Sequence, residues 1–117
     1  MKIIRIASGE LNSFLEKWRE QGIKLFVSEG NDHLSLMQIV VPPEMRDQGI
    51  GTELMNELVA LGNRLGKRIV LTPDTTYGGT SVNRLKEFYK RFGFMENKGR
   101  NKDFSISETM YREPTPV

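Results

Sequence analysis

The stretch Leu34-Ser35-Leu36-Met37-Gln38-Ile39-Val40-Val41-Pro42-Pro43, followed by Glu44-Met45-Arg46-Asp47-Gln48-Gly49-Ile50-Gly51-Thr52, decides how this chain folds. Its apolar first half reads as a strand that stops at the two prolines, because neither can donate to a sheet ladder. Beyond the glycines, Ile50, Leu54, Leu58, Leu61 and Leu65 recur along one helical face. Gly66 punctuates the end of that helix. The short apolar run Arg68-Ile69-Val70-Leu71-Thr72 then fits an interior parallel strand. Strand, glycine turn, helix and strand predict a right-handed crossover at the centre of an α/β fold with a mixed sheet.

Working outward, the strand itself has an irregular pattern. Leu34 and Leu36 share one pleat face, whereas Met37, Ile39 and Val41 share the other. Turning both sets to one side needs an inserted residue near Leu36–Gln38, a β-bulge. A central strand buried on both faces needs none, and the pattern alone leaves both open. Upstream, residues 2–7 read as a short strand and Ser8 as a helix N-cap. Leu11, Phe14, Leu15 and Trp18 give the following helix an apolar face, and Gly22 ends it. Ile23 to Ser28 and Leu34 to Val41 form a hairpin about the turn Gly30-Asn31-Asp32. Downstream, a polar loop from Pro73 to Gly79 leads to a helix with Val82, Leu85, Phe88, Tyr89 and Phe92 facing inward, closed by Gly93. Phe94-Met95 and the segment from about Phe104 to Arg112 are expected strands, separated by the basic loop Asn97 to Lys102.

The 117 residues suit one small domain over residues 1–117. Hydrophobic residues are 38% and charged residues 27%, which fits neither a disordered tail nor a membrane span. No run approaches the roughly 20 apolar residues a bilayer crossing needs, and no signal-peptide pattern precedes Ser8, so a cytoplasmic protein is expected. With no Cys, the chain has no disulfide framework, no Cys-based zinc site and no covalent cysteine intermediate. No metal is expected. A net charge of +2 is too even to argue for nucleic acid.

The candidate chemistry centres on Arg46-Asp47-Gln48-Gly49-Ile50-Gly51-Thr52. Glycine lets a ligand approach the backbone with no β-carbon in the way. The first amides of a helix lack intrahelical acceptors, and the helix dipole makes that end partly positive. Such a turn can cradle a pyrophosphate, with Arg46 adding a full charge. A Walker A loop is excluded because no Lys follows the second glycine, and a dinucleotide fingerprint because Leu54 holds the place of its third small residue. A tight strand–helix turn with no ligand is the plainer reading of two glycines alone.

A second motif changes that balance. About 40 residues downstream, Leu85-Lys86-Glu87-Phe88-Tyr89-Lys90-Arg91-Phe92-Gly93-Phe94 has the form Leu-x-x-Phe-Tyr-x-x-x-Gly-Phe. With Arg-x-x-Gly-x-Gly ahead of it and a strand between, the chain resembles the GNAT superfamily of acetyl-CoA-dependent N-acetyltransferases, from roughly Leu34 to Phe94. The resemblance implies a central mixed sheet flanked by about three helices, splayed between two parallel strands that end at Val41 and Thr72. It implies acetyl-CoA as co-substrate and an amine acceptor. Backbone groups of Ile39, Val40 and Val41 would pair with the pantetheine amides, and the bulge is favoured. Arg46, Asp47, Gln48, Gly49, Ile50, Gly51 and Thr52 would hold the pyrophosphate. Asn83, Phe88 and Arg91 would complete the cofactor site, although a solvated basic face explains Arg91 equally well.

With no Cys, transfer is expected to be direct: the amine attacks the thioester within a ternary complex. A backbone amide near Met37–Ile39 would stabilise the oxyanion. By the resemblance, Tyr89 would protonate the departing thiolate, a task suited to a phenol with a pKa near 10. The base is less legible. Where family members carry a Glu, this chain has Ser35 and Thr72, which leaves Asp74 acting through water, a water chain, or a plain turn-forming Asp after Pro73. His33 reads as an ordinary surface histidine. The usual Asn of the family falls on Val82, with Asn83 one residue later. The short N-terminal half reduces the acceptor wall, which suits an extended acceptor or a wall completed by a second subunit in a homodimer. A non-catalytic acyl-CoA-binding module is the alternative; a nucleic-acid-binding domain using Lys98, Arg100 and Lys102 ranks below both.

Overall fold

A computed structural model describes residues 9–74 and 81–116. The expected strand over residues 2–7, the Ser8 cap and the loop stretch Thr75–Gly79 lie outside the described residues. The elements run α1 (Gly9–Glu20), β1 (Lys24–Glu29), β2 (His33–Val40), a 3-10 turn (Pro43–Met45), α2 (Ile50–Leu65), β3 (Arg68–Leu71), α3 (Val82–Lys90), β4 (Met95–Glu96), a second 3-10 turn (Gly99–Asn101) and β5 (Met110–Arg112). One mixed sheet has the order β1-β2-β3-β5-β4, and only β2 and β3 run parallel. This is the α/β arrangement expected from the strand–helix–strand centre.

The helices form where the apolar spacing demands. Leu11, Phe14, Leu15 and Trp18 of α1 are buried, and Gly22 takes φ +92, a left-handed value that costs glycine little. In α2, Leu54, Met55 and Leu58 are fully buried and Leu61 nearly so. Each stabilises the fold by about 1.5–3 kcal/mol relative to an exposed side chain. Gly62 belongs to this face as well: a Cβ there would stand 3.1 Å from the Ile69 side chain, so its absence lets α2 sit close on β3.

The hairpin settles the question left open by the pattern. Phe26 pairs with Gln38 but Val27 pairs with Leu36, so Met37 is an inserted residue and β2 is bulged there. The insertion turns Leu34, Leu36, Ile39 and Val41 toward one core. Met37 does not join Ile39 and Val41, as the alternation suggested. As the inserted residue it is expelled and stands 69% exposed.

Two further expectations are corrected. The β5 strand covers only Met110–Arg112, not the stretch from Phe104. The Asn97 side chain donates to the Asp103 and Glu108 carbonyls and accepts from the Asp103 amide, which closes the segment into a loop. Asp103 also accepts from the Ser105 amide and hydroxyl, a local bond that competes with a ladder. The loop folds back across the second face of the sheet, where Tyr111 donates to the Asn101 carbonyl and Arg68 pairs with Asp103. Val82 is the other correction. It continues the stripe of Tyr89 two turns earlier, but Ser81 caps α3 immediately before it, and this helix start projects beyond the core, leaving Val82 43% exposed.

Candidate active site

The parallel ladder between β2 and β3 starts at His33–Arg68 and ends at Leu36–Leu71. From Met37 onward, β2 continues against β1 alone. Its edge toward β3 therefore has no strand partner among the described residues. The strands part at the bulge. The gap is a cleft of about 200 Å³ lined by residues 36–39, Leu71, Thr72, Asp74, Leu85 and Tyr89. A second hollow of about 430 Å³ shares Ile39, Leu85 and Tyr89 with it and runs to Arg46, Asp47 and the stretch 49–52. Together they form one path from the splayed strands to the start of α2.

At that end the chain makes an unusual turn. Asp47 holds φ 62 and Gly49 φ 77, both left-handed, before α2 begins at Ile50. No side chain caps the helix. The first intrahelical bond is donated by the Glu53 amide to the Gly49 carbonyl, at 3.0 Å. The amides of Ile50, Gly51 and Thr52 thus have no acceptor within the helix, and the helix dipole adds positive potential where they point. A Cβ on Gly51 would lie 3.6 Å from Cζ of Phe88, so the missing side chain keeps the space between α2 and α3 open. Arg46 folds back and donates from Nε to the Val41 carbonyl at 3.0 Å, which holds a cation at the mouth of the hollow. The residues present fit a diphosphate.

Tyr89 stands at the junction of the two hollows. Its ring is buried, packed edge-on against Phe88 and Phe94 with centroids 5.3 and 5.8 Å away. Burial disfavours the phenolate and pushes the Tyr89 hydroxyl up to about 12. The group is therefore a firmly protonated donor, and a weaker acid than the ordinary phenol that the sequence suggests. Asp74 lines the same cleft with its side chain at the surface. Thr72 lies beside it, its Oγ1 accepting from the Thr109 amide at 3.2 Å.

Of the residues singled out from sequence, Ile39, Val41, Arg46, Asp47, Gly49, Ile50, Gly51, Thr52, Phe88 and Tyr89 share one hollow. Val40 and Gln48 belong to the same two segments but do not line it, and the Gln48 amide group donates instead to the Glu44 carbonyl. Asn83 and Arg91 flank a separate surface hollow with Arg84 and Glu87. Phe88 borders both, and Arg91 lies over its ring at 5.2 Å. His33 pairs with Asp32 at 2.8 Å, at the end of β2 away from the cleft. Leu36, Met45 and Leu85 line the path without having been singled out for it, whereas Gln38 falls within the stretch expected to face the oxyanion and Thr72 ends the second of the expected splayed strands. Apolar spacing marked Leu85 and Leu36 as core, and spacing does not separate a core wall from a cleft wall. Among the described residues, no three His, Asp or Glu side chains gather to hold a metal ion, and no helix is long and apolar enough to cross a membrane.

A family model described as an acetyltransferase (GNAT) domain matches residues 18–96, well over half the chain. An uncharacterized N-acetyltransferase of Methanocaldococcus jannaschii, MJ1207, is 34% identical over 70 residues, which is 60% of this chain and 29% of that protein. The chain thus spans less than a third of the relative's length. Among solved structures, the anti-CRISPR protein AcrVA5 superposes with a TM-score of 0.60 at 21% identity, covering 76% of this chain and 87% of that one. Ard1 from Thermoplasma volcanium superposes with a TM-score of 0.56 at 18% identity, covering 97% and 84%. At these identities the two structures share the fold.

Proposed function

The chain belongs to the GNAT acetyltransferase family, and from that premise we propose that it transfers an acetyl group from acetyl-CoA to a primary amine within a ternary complex. The observation that carries the reading is the unbroken path from the unpaired amides of α2, past the open edge of β2, to the Tyr89 hydroxyl. Acetyl-CoA supplies the activated acyl group; the chain supplies the rest. The amides of Gly49 to Thr52 and the Arg46 guanidinium hold the diphosphate. Backbone groups of Ile39 to Val41, with no partner strand toward β3, accept the pantetheine arm in place of one. A backbone amide at the Met37 bulge donates toward the developing oxyanion.

The amine nitrogen forms a bond to the acyl carbon, the carbon–sulfur bond breaks, and the sulfur takes a proton from Tyr89. Asp74, through water, receives the proton that the amine gives up. A phenol raised to about 12 looks mismatched to a thiol of ordinary pKa near 8.5. The sulfur leaves beside the Tyr89 ring, which is itself buried, and burial raises a thiol as it raises a phenol. The gap narrows for that reason.

Two measurements test the reading. A ligand bound only by the native state stabilises it, by about 2.7 kcal/mol at 100 times its dissociation constant. Acetyl-CoA should therefore raise the melting temperature. Release of free thiol from acetyl-CoA should further require an added amine. Absence of any shift at millimolar acetyl-CoA contradicts the reading. A shift with no amine-dependent thiol release supports a non-catalytic acyl-CoA-binding module instead.

A further inference from the structure

Helix α3 divides its cations into two groups. Lys86 and Lys90 both reach the Glu96 carboxylate, at 3.0 and 3.2 Å. Arg84 and Arg91 are exposed, and neither has a carboxylate within ion-pair distance among the described residues. Seven positions apart, they stand within about 20° of each other around the helix axis. Phe88 lies between them on the same face, four positions after Arg84. With Asn83 and Glu87 these three line an open hollow of about 360 Å³. Glu87, its one carboxylate, has Lys90 as counter-ion at 3.6 Å. The Arg91 guanidinium lies over the Phe88 ring at 5.2 Å. A guanidinium stacked by its face keeps its N–H edge for an anion.

Phe88 also joins this hollow to the one at the start of α2. It lines both, and its Cζ is the atom that a Cβ on Gly51 would meet. None of the residues lining the cleft beside Tyr89 borders the Arg84–Arg91 hollow. A diphosphate held by α2 sends its thioester arm toward Tyr89, and the Arg84–Arg91 hollow opens at the other end of that path. The nucleotide of coenzyme A carries a phosphomonoester on its ribose, with a charge of about −1.5 to −2 near pH 7.

We propose that Arg84 and Arg91 hold the ribose 3′-phosphate of coenzyme A across the Phe88 ring, so that the chain selects coenzyme A over dephospho-coenzyme A. The assignment rests on the acyl-transfer reading for the identity of the cofactor. It adds a second anchoring point, on α3, to the diphosphate cradle on α2.

The test is calorimetric titration of the full chain, at one ionic strength, with coenzyme A, dephospho-coenzyme A and adenosine 3′,5′-bisphosphate. Dephospho-coenzyme A should bind at least about tenfold more weakly than coenzyme A, the loss expected for a charge-assisted hydrogen bond. Arg84→Gln and Arg91→Gln should each weaken coenzyme A and the bisphosphate about tenfold, and the double substitution should bind coenzyme A and dephospho-coenzyme A alike. Both side chains are exposed, so melting temperatures should match the parent. Arg84→Gln makes the sharper variant, because Arg91 also packs on Phe88. Equal binding of the two coenzymes by the parent overturns the proposal. Substitutions that weaken both coenzymes alike overturn it too, because they report a general positive field. Bisphosphate binding that falls in both variants, in a protein that binds neither coenzyme, overturns the acyl-transfer reading and leaves the phosphate site standing. Coenzyme A binding with no discrimination overturns the phosphate site alone.

Discussion

Replacing Gly51 with alanine separates the cradle from the fold that carries it. Gly51 is the second residue of α2, its φ is not left-handed, and a Cβ there meets only Cζ of Phe88, at an ordinary contact distance of 3.6 Å. The folded chain accommodates the methyl group, and removing a glycine from a helix stabilises by about 0.4–1 kcal/mol, mainly through the unfolded chain. Gly51→Ala should therefore melt at the same temperature as the parent or a few degrees above it. The methyl group nonetheless occupies the space between α2 and Phe88, where a diphosphate must sit to reach the amides of Ile50 to Thr52. Losing one hydrogen bond to a charged oxygen costs about 1.5–3 kcal/mol, which weakens coenzyme A about 10- to 150-fold. Trp18, the only tryptophan, is buried in the core and reports folding by fluorescence, while calorimetry reads the dissociation constant. A Gly51→Ala protein that is stable and binds coenzyme A as the parent does would refute the cradle. Gly49 is the poorer choice, because its φ of 77 makes any side chain strained and mixes folding with binding.

Three other outcomes follow from the same geometry. Tyr89→Phe should lower kcat by about 100-fold or more while coenzyme A affinity stays within about twofold, as befits loss of a proton donor; equal turnover would remove Tyr89 from that role. The Tyr89 phenol, raised to about 12 by burial, keeps its proton in the native state when an unfolded tyrosine near 10 has lost it. Stability present below pH 10 is thus lost as pH climbs from 10 to 12, by about 3 kcal/mol; alkaline denaturation of Tyr89→Phe should be flatter over that window, and an identical curve would contradict the assignment. Lys86 first, and then Lys90, hold the Glu96 carboxyl at about 2. Its contribution is present above the ordinary carboxylate range and lost as pH falls from about 4.5 to about 2. Glu96→Gln should be less stable than the parent at pH 7 in urea melts and equal to it near pH 2, and a constant difference at both would count against the network.

The parts of the fold legible in the sequence are those where one local cause dominates. Helical spacing placed α2 and its buried Leu54, Leu58 and Leu61, and Pro42-Pro43 marked where β2 must stop. The glycine turn was readable because glycine takes the φ of 77 found at Gly49 with no steric cost. Asp47 adopts the same left-handed region without being glycine, and nothing in its neighbours announced that. The bulge was half legible: alternation showed that something had to give near Met37, but cross-strand register, which is non-local, decided what. The length of β5 was lost for the same reason, since the three hydrogen bonds of the Asn97 side chain reach up to 11 residues along the chain. On α3, each residue advances about 100° around the axis. Arg91, two positions after Tyr89, therefore stands about 200° away from it, which explains why it borders the neighbouring hollow and not the cleft.

A crystal structure with acetyl-CoA tests the central claim most directly. The account predicts the diphosphate within hydrogen-bonding distance of the amides from Gly49 to Thr52, the pantetheine arm along the free edge of β2 from Ile39 to Val41, and the thioester sulfur beside the Tyr89 hydroxyl. A nucleotide bound away from the start of α2, with β2 and β3 zipped together beyond Leu36 and Leu71, would contradict it.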